Sequence, residues 1–211
     1  MNEIENFARK IHENNNDGHG FDHILRVVNL AKRILKTEKT ADEKIVLTAA
    51  FLHDTYDEKI CDDVEKQKLE VAEFLKSVKF DRSEIAQIFY IIDNMSFSSN
   101  LTDKKTLDIN GQIVQDADRL DAMGAAGIAR TLQFGWAKNR VLYDPAVKPT
   151  NFTDKSNYHS GNSTTINHFY EKLFLLKDLL NTAEGKKIGA KRDQIMHDFV
   201  ENYEREYDET H

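Results

Sequence analysis

At residues 45–54 the chain reads Ile45-Val-Leu-Thr-Ala-Ala-Phe-Leu-His-Asp54, an apolar run that ends on an imidazole and a carboxylate. Successive side chains of a helix point about 100° apart, so His53 and Asp54 converge only at a helix end or on the turn that follows. The next residues, 55–59, add two more carboxylates and a lysine. Ionisable groups beside a core segment are costly unless they are paired or bind a ligand, so this junction predicts a functional site.

Two other segments carry side chains of the same kinds. His23 opens an amphipathic helical segment, and Asp118 lies among the apolar residues of another. Neutral imidazoles and carboxylates together suit divalent transition metals, and carboxylates also accept the harder ions Mn²⁺ and Mg²⁺. We therefore predict a metal site whose four ligands, on three separate helices, are His23, His53, Asp54 and Asp118.

This H…HD…D pattern resembles the HD-domain superfamily of metal-dependent phosphohydrolases, whose scaffold is helical. Within the superfamily the chain is similar to small bacterial hydrolases with an Asp-Ala-Asp-Arg-Leu-Asp-Ala-Met/Leu-Gly run, which is found here at residues 116–124. Three further stretches fit that subfamily, namely Phe21–Val27, Phe51–Lys59 and Met95–Ser98. Met95 departs from it, because a histidine is common there, but the departure leaves the four ligands untouched.

The resemblance also implies roles for the residues that follow the His-Asp dipeptide. Other branches of the superfamily place an acidic pair at this offset, so Asp57 and Glu58 are predicted to act as general acid and base. The alternative is a solvated acidic turn that pairs with Lys59.

Arg26 and Lys59 are the predicted phosphate contacts. Arg26 lies three residues after His23 and shares roughly one helix face with it. It either holds a substrate phosphate or pairs with Asp22 or a ligand carboxylate.

The mixed nitrogen and oxygen ligand set favours Mn²⁺, with Mg²⁺, Co²⁺, Ni²⁺, Fe²⁺ and Zn²⁺ as alternatives. Four protein ligands leave positions on an octahedral ion for water and a phosphoryl oxygen, which suits phosphate-ester hydrolysis. A set of this size favours one metal ion over two.

Composition predicts a single all-α domain over residues 1–211, and the resemblance makes it an HD-domain helical bundle. Apolar residues make up 40% of the chain and include 12 phenylalanines, which is enough for one core. Both prolines lie between residues 145 and 149, and no sustained period-two pattern of β-branched residues occurs. Helices are predicted near residues 2–15, 22–37, 42–53, 62–77, 82–94, 110–122, 125–137, 163–181 and 186–207.

Residues 138–162 are the exception to this helical pattern, because they are turn-rich and sparsely apolar. A connection of this length is uncommon in a compact domain and is often functional. It is either a loop that borders the active site as a lid or an ordinary surface excursion. The C-terminal helices are predicted at about 163–207.

Several classes of function are disfavoured. The net charge of −7 argues against a nucleic-acid-binding protein, which normally presents a basic face. No apolar run approaches the length of a membrane span, and the N-terminus lacks the pattern of a signal peptide. A single cysteine, Cys61, excludes an internal disulfide and suits a reducing cytoplasm. We therefore expect a cytoplasmic protein without membrane or nucleic-acid partners, either monomeric or a homodimer.

The leading functional hypothesis is a metal-dependent phosphohydrolase of a small phosphorylated metabolite, with nucleotides favoured by the resemblance alone. Cleavage of a nucleoside triphosphate to monophosphate and pyrophosphate is preferred over a nucleotidase or a cyclic-nucleotide phosphodiesterase. A hypothesis of another class is a non-catalytic sensor that binds metal or nucleotide. The intact ligand set and the acidic pair Asp57-Glu58 weigh against the sensor.

Overall fold

A computed structural model describes residues 1–13, 20–57, 61–97, 105–150 and 163–209. The chain divides into two compact units, Met1–Asp118 and Arg119–His211. The described residues are helical or irregular, without a β-strand, so the all-α prediction is confirmed. The extent of the single domain over residues 1–211 stays a prediction.

In its described residues, the first unit contains five whole helices and most of a sixth. Their bounds are α1 Asn2–His12, α2 Phe21–Leu35, α3 Glu43–Leu52, α4 Val64–Ser77, α5 Arg82–Asn94 and α6 Ile109–Asp121. Helix α6 crosses the boundary between the units. These bounds agree with the predicted segments to within about three residues, a margin typical of frayed helix ends.

Helix α3 is the central element of the first unit. Every residue from Ile45 to Leu52 is buried, and the helix packs against α1, α2 and α5. It begins at Asp42, whose side chain accepts hydrogen bonds from the backbone N–H groups of Lys44 and Ile45. A helix with apolar residues on all sides must lie inside the unit. Its C-terminal end therefore delivers His53 and Asp54 next to the core.

The second unit contains α7 Gly124–Ala137, α8 Asn167–Glu171 and α9 Ala183–Glu209, with two short 3₁₀ segments at Leu173–Leu175 and Lys177–Leu179. Gly124, the first residue of α7, has a φ of +70°, a conformation that L side chains rarely adopt. Helix α9 packs against α7.

The predicted helix over residues 163–181 differs from the structure. Only residues 167–171 are α-helical, and Lys172 breaks the helix with φ −140° and ψ −54°. Two 3₁₀ turns continue to Leu180, which is extended. Leu173 and Leu176 are nevertheless both buried, so apolar spacing alone did not distinguish one helix from a chain of turns.

Residues 138–150 lack helix, as the loop prediction expects, and residues 151–162 lie outside the described part of the chain. The predicted lid role of residues 138–162 stays a prediction. In the described ranges, no helix combines the length and the apolar character needed to cross a lipid bilayer.

Candidate metal centre

His23 is placed by the start of α2. The helix begins after Gly20, and the His23 side chain is buried to 1% exposure. The apolar face that follows, with Ile24, Val27 and Val28 all buried, holds α2 against α3. An imidazole in this position is withdrawn from water at the packed end of the helix.

His53 is the C-cap of α3, and Asp54 lies in the turn immediately after it. The Nδ1 atom of His53 lies 2.9 Å from the carbonyl oxygen of Ala50. A carbonyl only accepts hydrogen bonds, so this contact assigns the proton of a neutral imidazole to Nδ1 and leaves the Nε2 lone pair free to bind a ligand. Such a partner is the usual way in which a metal-binding histidine is oriented.

The Nε2 atoms of His23 and His53 lie 3.1 Å apart. Asp54 Oδ2 lies 3.4 Å from the first nitrogen and 3.5 Å from the second. Asp118 Oδ1 lies 3.7 Å from each of them. Side chains from three segments of the first unit thus bring four donor atoms together.

These distances fit a metal better than a set of hydrogen bonds. At a ligand bond length of about 2.1 Å, neighbouring donors lie about 3.0 Å apart in an octahedron and about 3.4 Å apart in a tetrahedron. The two carboxylate oxygens are each nearly equidistant from both imidazoles, and contacts of 3.4–3.7 Å are long for hydrogen bonds. Ligand atoms of His23, His53 and Asp54 all lie within 4.8 Å of one another, so this group could hold a metal ion.

Asp57, a predicted acid or base, continues the same turn. Its N–H donates to the carbonyl of Asp54 at 3.3 Å, so the two residues are locked into one turn. Glu58 and Lys59 lie outside the described residues, and their predicted roles stay predictions.

Arg26, the predicted phosphate contact, donates to Asp22 at 2.6 Å across one helical turn. Burial raises the pKa of Asp22, but the hydrogen bond and the charge of Arg26 outweigh it and lower that pKa below its usual value. This ion pair is one of the alternatives that the sequence left open. The Arg26 side chain keeps 35% of its surface exposed, so the phosphate role remains a proposal.

Two charged neighbours of Asp118 have structural partners. Asp121 is buried and accepts from Arg130 at 2.8 Å, and Arg119 donates to the carbonyl of Leu179. Arg119 directly follows Asp118 and so leaves α6 on another face, whereas Asp121 is held by its contact with Arg130.

Some residues that support the centre were not found from the sequence. The hydroxyl of Tyr56 donates to Asp93 at 3.0 Å, and the side-chain amide of Gln115 donates to the carbonyl of Met95 at 2.9 Å. Each pair joins residues that are 20 or more positions apart. No spacing rule links such positions, although a tyrosine three residues after a ligand was a legible signal.

Comparisons with known proteins identify the family of this chain. The family model described as "HD domain" matches residues 20–123, which contain all four predicted ligands. The protein YpgQ of Bacillus subtilis (strain 168) is 35% identical over 205 residues, which cover 97% of this chain and 92% of YpgQ. The chain belongs to the HD-domain superfamily. The resemblance predicted from the sequence is therefore confirmed at the level of the superfamily.

Two solved structures are similar to this HD-domain protein over almost its whole length. A Lactobacillus plantarum protein superposes with a TM-score of 0.89 at 38% identity, over 98% of this chain and 95% of that one. An HD-superfamily hydrolase from Bacillus thuringiensis has a TM-score of 0.76 at 35% identity, with 98% and 96% covered. The chain is accordingly an HD-superfamily hydrolase.

One relative has a nucleotide bound. YpgQ of Bacillus subtilis has been solved in complex with ADP, and that structure superposes with a TM-score of 0.76 at 32% identity. The superposition covers 97% of this chain and 96% of YpgQ.

Proposed function

We propose that this HD-domain protein is a metal-dependent phosphohydrolase that acts on a small phosphorylated metabolite, namely a nucleotide. The observation that supports the proposal most directly is the grouping of the donor atoms of His23, His53, Asp54 and Asp118 at separations of 3.1–3.7 Å. Two imidazoles and two carboxylates are a donor set suited to Mn²⁺, which we favour over Mg²⁺, Co²⁺, Ni²⁺, Fe²⁺ and Zn²⁺.

The protein would hold the cation and determine the side from which a substrate approaches it. His23, His53, Asp54 and Asp118 would hold a divalent cation, which would supply Lewis-acid activation of water and of a phosphoryl oxygen. Asp54 and Asp118 keep 16% and 32% of their side-chain surface exposed, whereas the two imidazoles are nearly inaccessible. The carboxylates therefore form the solvent-facing side of the centre, and a substrate phosphate must approach from there.

In this proposal Asp57 and Glu58 act as the general acid and base. The hydrogen bond between the Asp57 N–H and the Asp54 carbonyl keeps Asp57 within one turn of a ligand. From that position a carboxylate accepts a proton from the attacking water or returns one to the leaving group. Arg26, once released from Asp22, and Lys59 would neutralise the phosphate charge.

A nucleotide substrate is supported by the relative YpgQ, which binds ADP. We further propose cleavage of a nucleoside triphosphate to the monophosphate and pyrophosphate. The negative charge of the protein is compatible with such a substrate, because a bound cation neutralises phosphate locally.

The test begins with protein stripped of metal by a chelator and then reloaded with Mn²⁺, Mg²⁺, Co²⁺ or Ni²⁺. Each form is assayed against a panel of nucleoside mono-, di- and triphosphates and cyclic nucleotides, with separate detection of pyrophosphate and orthophosphate. Pyrophosphate alone is the expected product. Orthophosphate alone would indicate a nucleotidase, and an opened cyclic nucleotide would indicate a phosphodiesterase.

Matched variants separate the site from the fold. His53→Gln and Asp118→Asn should abolish turnover, whereas His197→Gln should not, because His197 is a half-exposed residue of the second unit. A protein that binds Mn²⁺ and nucleotide but releases no product from any compound would overturn the hydrolase proposal in favour of a sensor.

A further inference from the structure

The last residues of α5 contact both segments that carry the predicted carboxylate ligands. Asp93 accepts a hydrogen bond from Tyr56, two residues after Asp54. Met95, the C-cap of α5, accepts one through its carbonyl from Gln115, which precedes Asp118 by three residues on α6. One short stretch of chain is thus hydrogen-bonded to both carboxylate segments.

The Tyr56 contact is well anchored. Tyr56 is buried to 8% exposure, and its ring packs edge-on against Phe89 of α5 with centroids 5.9 Å apart. Lys68 of α4 binds the second oxygen of Asp93 at 2.6 Å and lies 5.3 Å from the centroids of both rings. A phenol, a carboxylate and an ammonium group from three segments therefore hold the turn after α3 in one place.

The Gln115 contact is buried. Gln115 keeps 5% of its surface exposed, and its hydrogen bond to Met95 opposes rotation of α6 because breaking a buried hydrogen bond is costly. Gln115 and Asp118 are three positions apart, so their side chains lie on neighbouring parts of one helix face. Rotation of α6 that broke the Gln115 bond would also displace Asp118.

The two imidazoles do not depend on this stretch in the same way. His53 is oriented by the Ala50 carbonyl within its own helix, and His23 lies inside α2 with its side chain buried. Asp54 lies in the turn beyond the end of α3, and Tyr56 belongs to the same turn. The hydrogen bonds of Tyr56 and Gln115 therefore connect the two carboxylate segments to the end of α5.

We propose that the C-terminal end of α5, Asp93–Met95, sets the positions of the two carboxylate ligands, with Tyr56 and Gln115 as positioning residues. The proposal rests on the metal site of the proposed function. Tyr56 and Gln115 touch neither metal nor substrate. They determine whether Asp54 and Asp118 reach the cation together with the imidazoles.

The test is the affinity of metal-stripped full-length protein for Mn²⁺, measured by titration calorimetry without any substrate. Tyr56→Phe keeps the ring and removes only the hydroxyl, and Gln115→Met keeps the side-chain length and removes the amide. Loss of a hydrogen bond that orients a ligand typically weakens metal binding by about 10- to 100-fold, and we expect about tenfold for each variant. The thermal midpoint of metal-free Tyr56→Phe should remain close to that of the wild type.

The second unit offers a control in Tyr170, which makes the same kind of contact but is more exposed than Tyr56. Tyr170 donates to Glu204 at 3.0 Å, the same phenol–carboxylate contact at the same length as Tyr56 and Asp93. Tyr170→Phe should bind Mn²⁺ with wild-type affinity. A second comparison uses Asp93 itself, because Asp93→Asn keeps an acceptor for the Tyr56 hydroxyl and should retain most of the affinity that Asp93→Ala loses.

Two results would overturn the proposal. One is wild-type Mn²⁺ affinity in Tyr56→Phe, and the other is a loss that Tyr170→Phe reproduces. A different result would show that the proposed metal site is wrong. In that case His53→Gln would bind Mn²⁺ as tightly as the wild type.

Discussion

His23 Nε2 and His53 Nε2 lie 3.1 Å apart, although 30 positions separate the two residues along the chain. Two nitrogens at this separation can both lie at an ordinary ligand distance, about 2.1 Å, from one shared cation. The contact between His53 Nδ1 and the Ala50 carbonyl leaves the His53 Nε2 lone pair directed at its neighbour. The pair is therefore arranged for a shared proton or a shared metal ion.

Metal binding is expected to stabilise the folded protein. At free Mn²⁺ one hundred times the dissociation constant, the stabilisation is about 2.7 kcal/mol if the unfolded chain binds no metal. Differential scanning calorimetry should show this as a rise in the thermal midpoint of the wild type and of His197→Gln. His53→Gln should show no rise. A metal-dependent rise of equal size in His53→Gln would contradict the ligand assignment.

Asp57→Asn should keep metal affinity and lose turnover. The substitution preserves shape but removes a proton acceptor, and general acid–base catalysis is typically worth about 10²- to 10⁴-fold in rate. Steady-state kinetics and Mn²⁺ titration on the same preparation check both halves of this prediction. Glu58→Gln is the parallel test of the other acidic residue. Unchanged kcat in both variants would remove the acid–base assignment.

Asp42→Ala should destabilise the first unit. The Asp42 carboxylate accepts from the N–H groups of Lys44 and Ile45 at 2.9 Å and 3.2 Å, and loss of such a cap typically costs about 1 kcal/mol. Asp42→Asn keeps an acceptor oxygen and should lose much less. Urea unfolding followed by circular dichroism measures both. Equal stability of the alanine variant and the wild type would mean that packing alone holds the start of α3.

Acid should destabilise the second unit through His168. Burial, with the nearby charges of Lys172 and Arg140, lowers the pKa of His168 from 6.5 to about 3. Below pH 6.5 the unfolded chain binds a proton at His168 that the folded chain does not bind. The stability that the neutral imidazole contributes is fully present above pH 6.5 and is lost as the pH falls toward 3. Between pH 6.5 and 4, His168→Gln should lose less unfolding free energy than the wild type.

Two measurements check the histidine prediction. Urea unfolding at several pH values gives the free energies, and an NMR titration of the His168 ring gives its pKa directly. The variant His197→Gln is the control, because His197 is about half exposed. A normal His168 pKa, or identical acid sensitivity of His168→Gln and the wild type, would contradict the prediction.

Much of the fold was predictable because the signals for helix formation lie close together in the sequence. The apolar run at residues 45–52 predicted a core segment that ends at His53 and Asp54, and every residue of the run is buried. The sequence predicts N-terminal caps at Asp42, Asp62, Asp81 and Ser163. Asp42 and Asp81 accept the expected backbone hydrogen bonds, but Asp63 rather than Asp62 caps α4, and the helix after Ser163 begins only at Asn167. Caps and periodicity involve residues within one or two turns, so the sequence displays them directly.

The conformation of the segment after Ser163 could not be predicted from apolar spacing. Phe169, Leu173, Leu176 and Leu180 recur at helical spacing and are all buried, yet the chain there forms a short helix and two 3₁₀ turns. Burial of a side chain requires only that it face the core, and successive turns achieve this as well as one helix does. Tertiary packing decided between the two.

The sequence by itself determined the helical class, the superfamily and the kinds of side chain that meet at the predicted centre, because composition, periodicity and short motifs are local properties. Only the tertiary structure decided the distances of 3.1–3.7 Å between donors and the hydrogen bonds of Tyr56 with Asp93 and of Gln115 with Met95. These depend on how α2, α3, α5 and α6 are placed within the first unit. Helix placement follows from the packing of whole apolar faces, and no short stretch of sequence encodes it.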